Sequence, residues 1–271
     1  MREKVEGAID KDREPSTLEC FNLVTRMGKA MLLNGGEIFR TNEAMRYAAK
    51  ALGLQDFSAY VIANGIFASI VSEGKVYSSK ICSVPLAPIM LCRVEALNSL
   101  SRRIAVGKCS PSEIREELER IETMNSSGNL LKILASGSGS ASFCYLFKGS
   151  LMDSIAAFAA AAVLYIFLVY TVPKVNLPRI MVNILGSALV SFLCCGLYSI
   201  GVGDKLDRII IGAIFPMVPG IPLTNSVRNF LENDYLSGMI RLVDTLLTAG
   251  CIAIGVGISM RIWSIAIGGI L

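Results

Sequence analysis

Ile155–Val172 is a run of 18 residues without a charge, closed by Pro173 and Lys174. A helix of that length reaches across the hydrocarbon layer of a bilayer, so lipid must be counted among the solvents of this chain. Ile180–Val202, bounded by Arg179 and Lys205, is a second such run, and Val243–Ile262, with Asp244 and Arg261 near its ends as its charges and Trp263 after it, is a third. All three lie in the C-terminal half. Residues 129–271 hold 9 Lys/Arg and 6 Asp/Glu, against 17 and 16 in residues 1–128. This asymmetry predicts two domains: a charged α+β domain over 1–128 and an α-helical, polytopic membrane domain over 129–271.

Composition removes several kinds of chemistry. The 271 residues include no histidine, which excludes a Ser-His-Asp triad, an HExxH zinc site and a histidine proton relay. No metal site and no cofactor are expected. The net charge of +4 comes mostly from the apolar half and forms no basic stripe, so nucleic acid is not an expected partner. Eight cysteines without CxxC spacing read as free thiols of a reducing compartment. The opening MREKVEGAIDKDREP lacks an apolar core, so it is read as neither a secretory signal nor an anchor. The expected location is the inner membrane, multi-pass, with the N-terminal domain in the cytoplasm.

In that domain, Ser16 and Glu19 have capping-box spacing. Leu18, Phe21, Val24, Met27, Met31 and Leu32 then recur at helical intervals. Gly35-Gly36 interrupts, and a second helix is predicted over Glu37–Leu52. Three β-prone runs follow, Phe57–Ala63, Ile66–Ser72 and Lys75–Val84, joined by Asn64-Gly65 and Glu73-Gly74. Such short joins predict an antiparallel three-stranded meander. Helices over Pro88–Val106 and Pro111–Met124 complete the domain, the second opened by the capping box Ser110-Pro111-Ser112-Glu113. Glu37, Arg40, Glu43 and Arg46 are spaced by three. They make either a functional polar face or a solvated face of ion pairs.

Two segments of the membrane half are less regular. Leu130–Phe147 carries Lys132 and an unbroken Ser/Gly/Ala run from Ser136 to Ser142. It reads as a helix built for close backbone approach, or as a flexible linker. Leu206–Gly238 contains the apolar run Ile209–Ile221, of 13 residues, with Pro216 and Pro219 inside it and Pro222 directly after it. Prolines at that spacing break a helix, and the break is predicted near Pro219-Gly220. Either unpaired backbone there lines a polar cavity within the bundle, or the prolines mark a kink at the interface. Counting both irregular segments as crossings gives five spans. Lys and Arg divide evenly between the two sides, so charge does not orient the bundle. Asp153, Asp207, Arg208, Arg228, Arg241 and Asp244 stand at span edges, as functional groups or interfacial anchors. Arg241 and Asp244, three apart on one helix, are placed to pair.

The stretch FPMVPGIPLTNSVRNFLENDYLSGMIRLVD, within Ile209–Asp244, resembles the signature of the threonine/serine exporter family, ThrE-like and including its YjjP-type subunits. LLNGGEIFRTNEAM at Leu32–Met45, RVEALNSLSRRIAVGKCSPSEIREELERI at Arg93–Ile121 and FCYLFKGSLMDSIAAF at Phe143–Phe158 agree with it. The resemblance implies transport of a small hydrophilic metabolite, threonine or serine in fused exporters and a dicarboxylate such as succinate in two-subunit ones. Fused members carry a second membrane module, which this chain does not include. It is therefore similar to the YjjP-type subunit, whose expected partner is a small YjjB-type membrane protein, in a hetero- and homo-oligomer.

Together these readings predict a secondary transporter subunit and not an enzyme. A scaffold or regulatory subunit is the alternative. A membrane-anchored hydrolase using a carboxylate pair such as Glu37 and Glu43 is a further one, without a histidine base or a GxSxG elbow to support it. The expected substrate site is the start of a half-helix near Thr224. There, backbone amides and the side chains of Thr224 and Asn225 would hold a carboxylate beside Arg228. Asp244 and Asp153 would take an amino group or a proton. Pro216, Pro219, Gly220 and Pro222 would shape the break, as a gate.

Overall fold

The structure is a computed structural model that describes residues 16–72, 75–85, 89–124, 128–175 and 177–266, without the side chains of Ser72, Lys75 and Tyr77. The charged opening run, the Glu73-Gly74 turn, Pro88 and residues 267–271 lie outside the described residues. The chain divides into two compact units, Met1–Ser126 and Ser127–Leu271.

In the first unit, α1 (Thr17–Leu33) and α2 (Ile38–Ala51) cover one face of a meander of β1 (Phe57–Ile62), β2 (Gly65–Ser72) and β3 (Lys75–Ser83). α3 (Leu91–Ala105) packs on α2, and α4 (Pro111–Thr123) on α1 and α3. The period-two alternation explains the sheet: Val61, Ile66, Ala68, Ile70 and Cys82 point into the core, while Tyr60, Phe67 and Ile81 align across the outer face. The first hairpin turns at Ala63-Asn64, one residue earlier than Asn64-Gly65, because Gly65 already pairs with Ile62.

Gly35 takes φ +86 to turn α1 into α2, and a Cβ on Gly28 would sit 2.3 Å from Met45 Sδ, so these two helices cross in close contact. The α1 cap differs from expectation. Ser16 Oγ accepts from Glu19 N at 3.2 Å, but the Glu19 carboxylate pairs with Arg115 of α4 instead of returning to the cap. α4 has the full box, with Ser110 N donating to Glu113 Oε2 at 2.7 Å and Glu113 N to Ser110 Oγ at 3.3 Å.

The second unit is a helical bundle. α5 (Asn129–Leu146) is the Ser/Gly segment, and it is a helix, not a linker. Its Ser136, Gly137, Ser140 and Cys144 are buried, and Cβ atoms on Gly137 and on Gly212 would meet Phe158 at 2.8 Å and Cys144 Cβ at 2.6 Å. Small residues here set the helix separation. α6 (Leu151–Ile166) runs on through a π turn, Phe167–Thr171, to Val175. The helix thus passes Pro173, expected to close it, by widening one turn where proline lacks a donor. α7 (Arg179–Ser199), α8 (Leu206–Ile214), α9 (Gly220–Leu231) and α10 (Tyr235–Ala266) follow.

Side-chain contacts fix the directions. Arg179 meets Asp244, a Cβ on Gly255 would strike Ser187 Oγ, and Phe192 packs on Trp263, so α7 and α10 run parallel. The chain must come back between them, and α8 does so, from Ile209 beside Gly203 to Met217 beside Gly186.

Among the described residues three helices, Leu151–Val175, Arg179–Ser199 and Tyr235–Ala266, are long and apolar enough to cross a membrane, and a fourth crossing is counted if Leu206–Met217 and Gly220–Leu231 form one bent span. Length and composition support three or four of the five expected spans, and α5 is the one they leave out. α5 has the length, but its serines, glycines and Lys132 dilute its apolar character.

Candidate functional site

The break falls where the prolines place it. After α8, Phe215–Met217 makes a 3-10 turn that includes Pro216, Val218 is extended, and Pro219 caps α9, whose axis turns 62° from the preceding helix. Met217 Cε lies 3.1 Å from a Cβ built on Gly186. Gly186 is seven residues into α7, about 10 Å from its start at 1.5 Å per residue. The break therefore lies within the length of the bundle and is not a kink at its edge.

The amide cradle expected there does not form. α9 starts at Gly220, so Thr224 and Asn225 sit in its second turn, and Thr224 Oγ1 donates back to Gly220 O at 3.0 Å instead of capping. Of the first amides, Gly220 N donates to Val218 O at 2.9 Å, Leu223 N donates to Pro219 O at 3.2 Å, and Pro222 has none. An anion at this terminus would find the Ile221 amide and little more. Thr224 and Arg228 are exposed, and Asn225 is half-buried.

Asp153 and Asp244 do not share a site either. Asp153 is fully buried. Its carboxylate accepts from Ser150 N at 2.7 Å, Asp204 N at 2.6 Å and Lys205 N at 3.0 Å, closing a capping box and tying the start of α6 to the loop after α7. Asp244 accepts from Arg179 Nη1 at 3.1 Å through both oxygens, at the opposite end of α7. With 21 residues in α7, these carboxylates stand about 30 Å apart. One small solute cannot touch both.

The polar residues that do converge lie where α9 folds back on α10. Asn233 at φ +62 makes the turn, and Asp234 Oδ1 caps α10 by accepting from Ser237 N at 3.2 Å. Ser226 Oγ, fully buried, donates to Gly238 O at 2.8 Å, and a Cβ on Gly238 would stand 2.8 Å from the Phe230 ring. Asn229, one turn after Ser226, is 4% exposed, and Arg241, one turn after Gly238, is 8% exposed. Neither Asn229 Nδ2 nor Arg241 Nε has a hydrogen-bond partner among the described residues. Arg241 does not pair with Asp244 as its spacing suggested, because Asp244 is engaged by Arg179. The sequence marked Arg241 as a span-edge charge, a functional group or an anchor, placed to pair with Asp244, and did not single out Ser226 or Asn229. The available signal was their i,i+3 spacing, which puts Ser226 and Asn229 on one face of the helix.

In the first unit, Glu37 precedes α2 and pairs with Arg40, 3.0 Å away, on an exposed surface, which is the solvated ion-pair reading. Glu43 lies with Arg46, Tyr47 and Lys50 on a surface cleft near the end of α2. Among the described residues there is no cluster of acidic or thiol groups suited to a metal ion.

A bundle of apolar crossing-length helices, one of its passages broken in mid-length, defines a polytopic α-helical membrane protein. The chain belongs to the threonine/serine exporter family, whose sequence model matches residues 22–263. That is a family of transporters and not of enzymes. The threonine/serine exporter of Corynebacterium glutamicum is 24% identical over 261 residues, 94% of this chain and 53% of that protein. The chain thus spans about half the length of this curated relative. No solved structure matches it.

Proposed function

We propose that this chain is the pore-forming part of an inner-membrane exporter of a small hydrophilic amino acid, threonine or serine, acting with a second membrane module. The observation that carries this reading is the 62° break inside the bundle, about 10 Å from the start of α7 by its helical rise. Irregular backbone at that depth is stable only where protein or a water-filled path covers it. Transporters use such breaks to bring polar groups to a solute at mid-membrane. In this proposal α5 makes the fifth crossing, its small-residue face inside the bundle, and the first unit stays in the cytoplasm. The partner is a small YjjB-type protein that covers polar surface this chain leaves to lipid.

Counterflow of labelled threonine in proteoliposomes tests the reading. Uptake above empty vesicles is expected when this chain and the partner are reconstituted together. Equal flux from the partner alone would reduce this chain to a scaffold or regulatory subunit. Flux of succinate without threonine or serine would move the substrate to dicarboxylates.

A further inference from the structure

We propose that Arg241 is the receptor for the solute's carboxylate, with the Asn229 amide as a second donor in the same α9–α10 seam. This assignment rests on the transport reading above for the identity of the solute, but not for the chemistry of the site. A guanidinium near a membrane edge usually reaches for water or headgroups along its flexible stem. Arg241 does not: it is 8% exposed, two turns into a 32-residue helix.

Buried arginine is costly unless it is paired. Asp234 and Asp244, whose fields act on Arg241, are beyond ion-pair distance, Asp234 caps α10, and Asp244 is held through both oxygens by Arg179. No described residue offers Arg241 an ion pair. The second orphan in this seam, Asn229 Nδ2, is also a donor. The two bracket the Ser226–Gly238 hydrogen bond, one helical turn to either side. The unpartnered buried side-chain atoms of this seam, among the described residues, are both donors, which calls for an acceptor, and a cation among them calls for an oxyanion. A planar carboxylate matches the guanidinium fork. Among small amino acids every candidate carries that group, so Arg241 would fix orientation and leave side-chain discrimination to other residues.

The test measures competition by threonine and by threoninol, which lacks the carboxylate, in the reconstituted full chain with its partner. Arg241→Gln and Asn229→Asp are compared with the parent protein, and Arg241→Lys keeps charge without the fork. The parent is expected to favour threonine strongly over threoninol. Arg241→Gln and Asn229→Asp should each weaken threonine about tenfold or more and erase that preference, with Arg241→Lys intermediate. If Arg241→Gln fails to assemble, Arg241→Lys and Asn229→Asp decide.

Unchanged affinity and preference in these variants, with intact threonine flux, would overturn the assignment and leave the exporter reading standing. So would loss of preference in Arg228→Ala but not at Arg241. Absence of threonine flux in the parent, with Arg241-dependent binding of succinate, would overturn the amino-acid reading and support the carboxylate site. Loss of phosphatidylglycerol binding in Arg241→Gln, with threonine unaffected, would assign the arginine to a lipid phosphate and sink the proposal.

Discussion

Arg179 Nη1 stands 3.1 Å from each carboxylate oxygen of Asp244, and this contact pins the first turn of α7 to α10. The two side chains are 51% and 28% exposed, so solvent screening limits what the pair contributes. A double-mutant cycle of Arg179→Ala and Asp244→Ala in thermal denaturation of the detergent-solubilised protein should give a coupling of at most about 1 kcal/mol. A coupling several times larger would show that the pair is desolvated and structural.

Asp153→Asn separates architecture from binding. The carboxylate accepts three backbone N–H groups at a fully buried position, and an amide cannot reproduce that pattern. Loss of charge-assisted bonds predicts destabilisation by about 1.5–3 kcal/mol. Threonine affinity of the protein that remains folded should be unchanged. A reduced affinity at unchanged stability would return Asp153 to the solute site.

Gly255 sets how near α7 and α10 approach. A Cβ there would stand 2.0 Å from Ser187 Oγ and 2.3 Å from Ile184 O, while one on Gly250 or Gly257 meets nothing within 4 Å. Gly255→Ala should destabilise by about 1–3 kcal/mol, as overpacking does. Gly257→Ala should be nearly neutral, and equal melting temperatures for both variants would refute the close approach.

Thiol accessibility reports the side on which the first unit sits. Cys92 is exposed and Cys109 partly so, whereas Cys20 and Cys82 are buried, and burial raises the Cys20 thiol pKa. A membrane-impermeant maleimide should leave Cys92 unlabelled in intact cells and label it once the inner membrane is permeabilised. Labelling before permeabilisation would place the unit outside the cytoplasm.

The elements that local chemistry dictates were readable from the sequence. Alternation gave the strands within a residue or two, Ser110 and Glu113 marked the start of α4, and three prolines located the break. Features that depend on what a segment folds against were not. Asp153 reads as a membrane-edge charge until the loop at Asp204 returns to it, and Glu19 reads as a cap until α4 brings Arg115. α10 begins at Tyr235, well before the apolar run at Val243, because α9 supplies a polar-lined surface for its first turns. Arg241 could not be separated from an interfacial anchor without seeing that surface.

The parallel pair α7 and α10 has a mechanical consequence. With Gly255 seated against Ser187 and the backbone of Ile184, neither helix can slide past the other without a clash, so the pair moves as one rigid block. Residues 215–219 between α8 and α9 have no α-helical turn, and side chains hold them, Phe215 stacked on Phe143 and Met217 against Gly186, with no backbone approach as close as that at Gly255. Because Ser226 and Phe230 also hold α9 against α10, any change of angle at this joint moves α8 relative to α9 and α10 together.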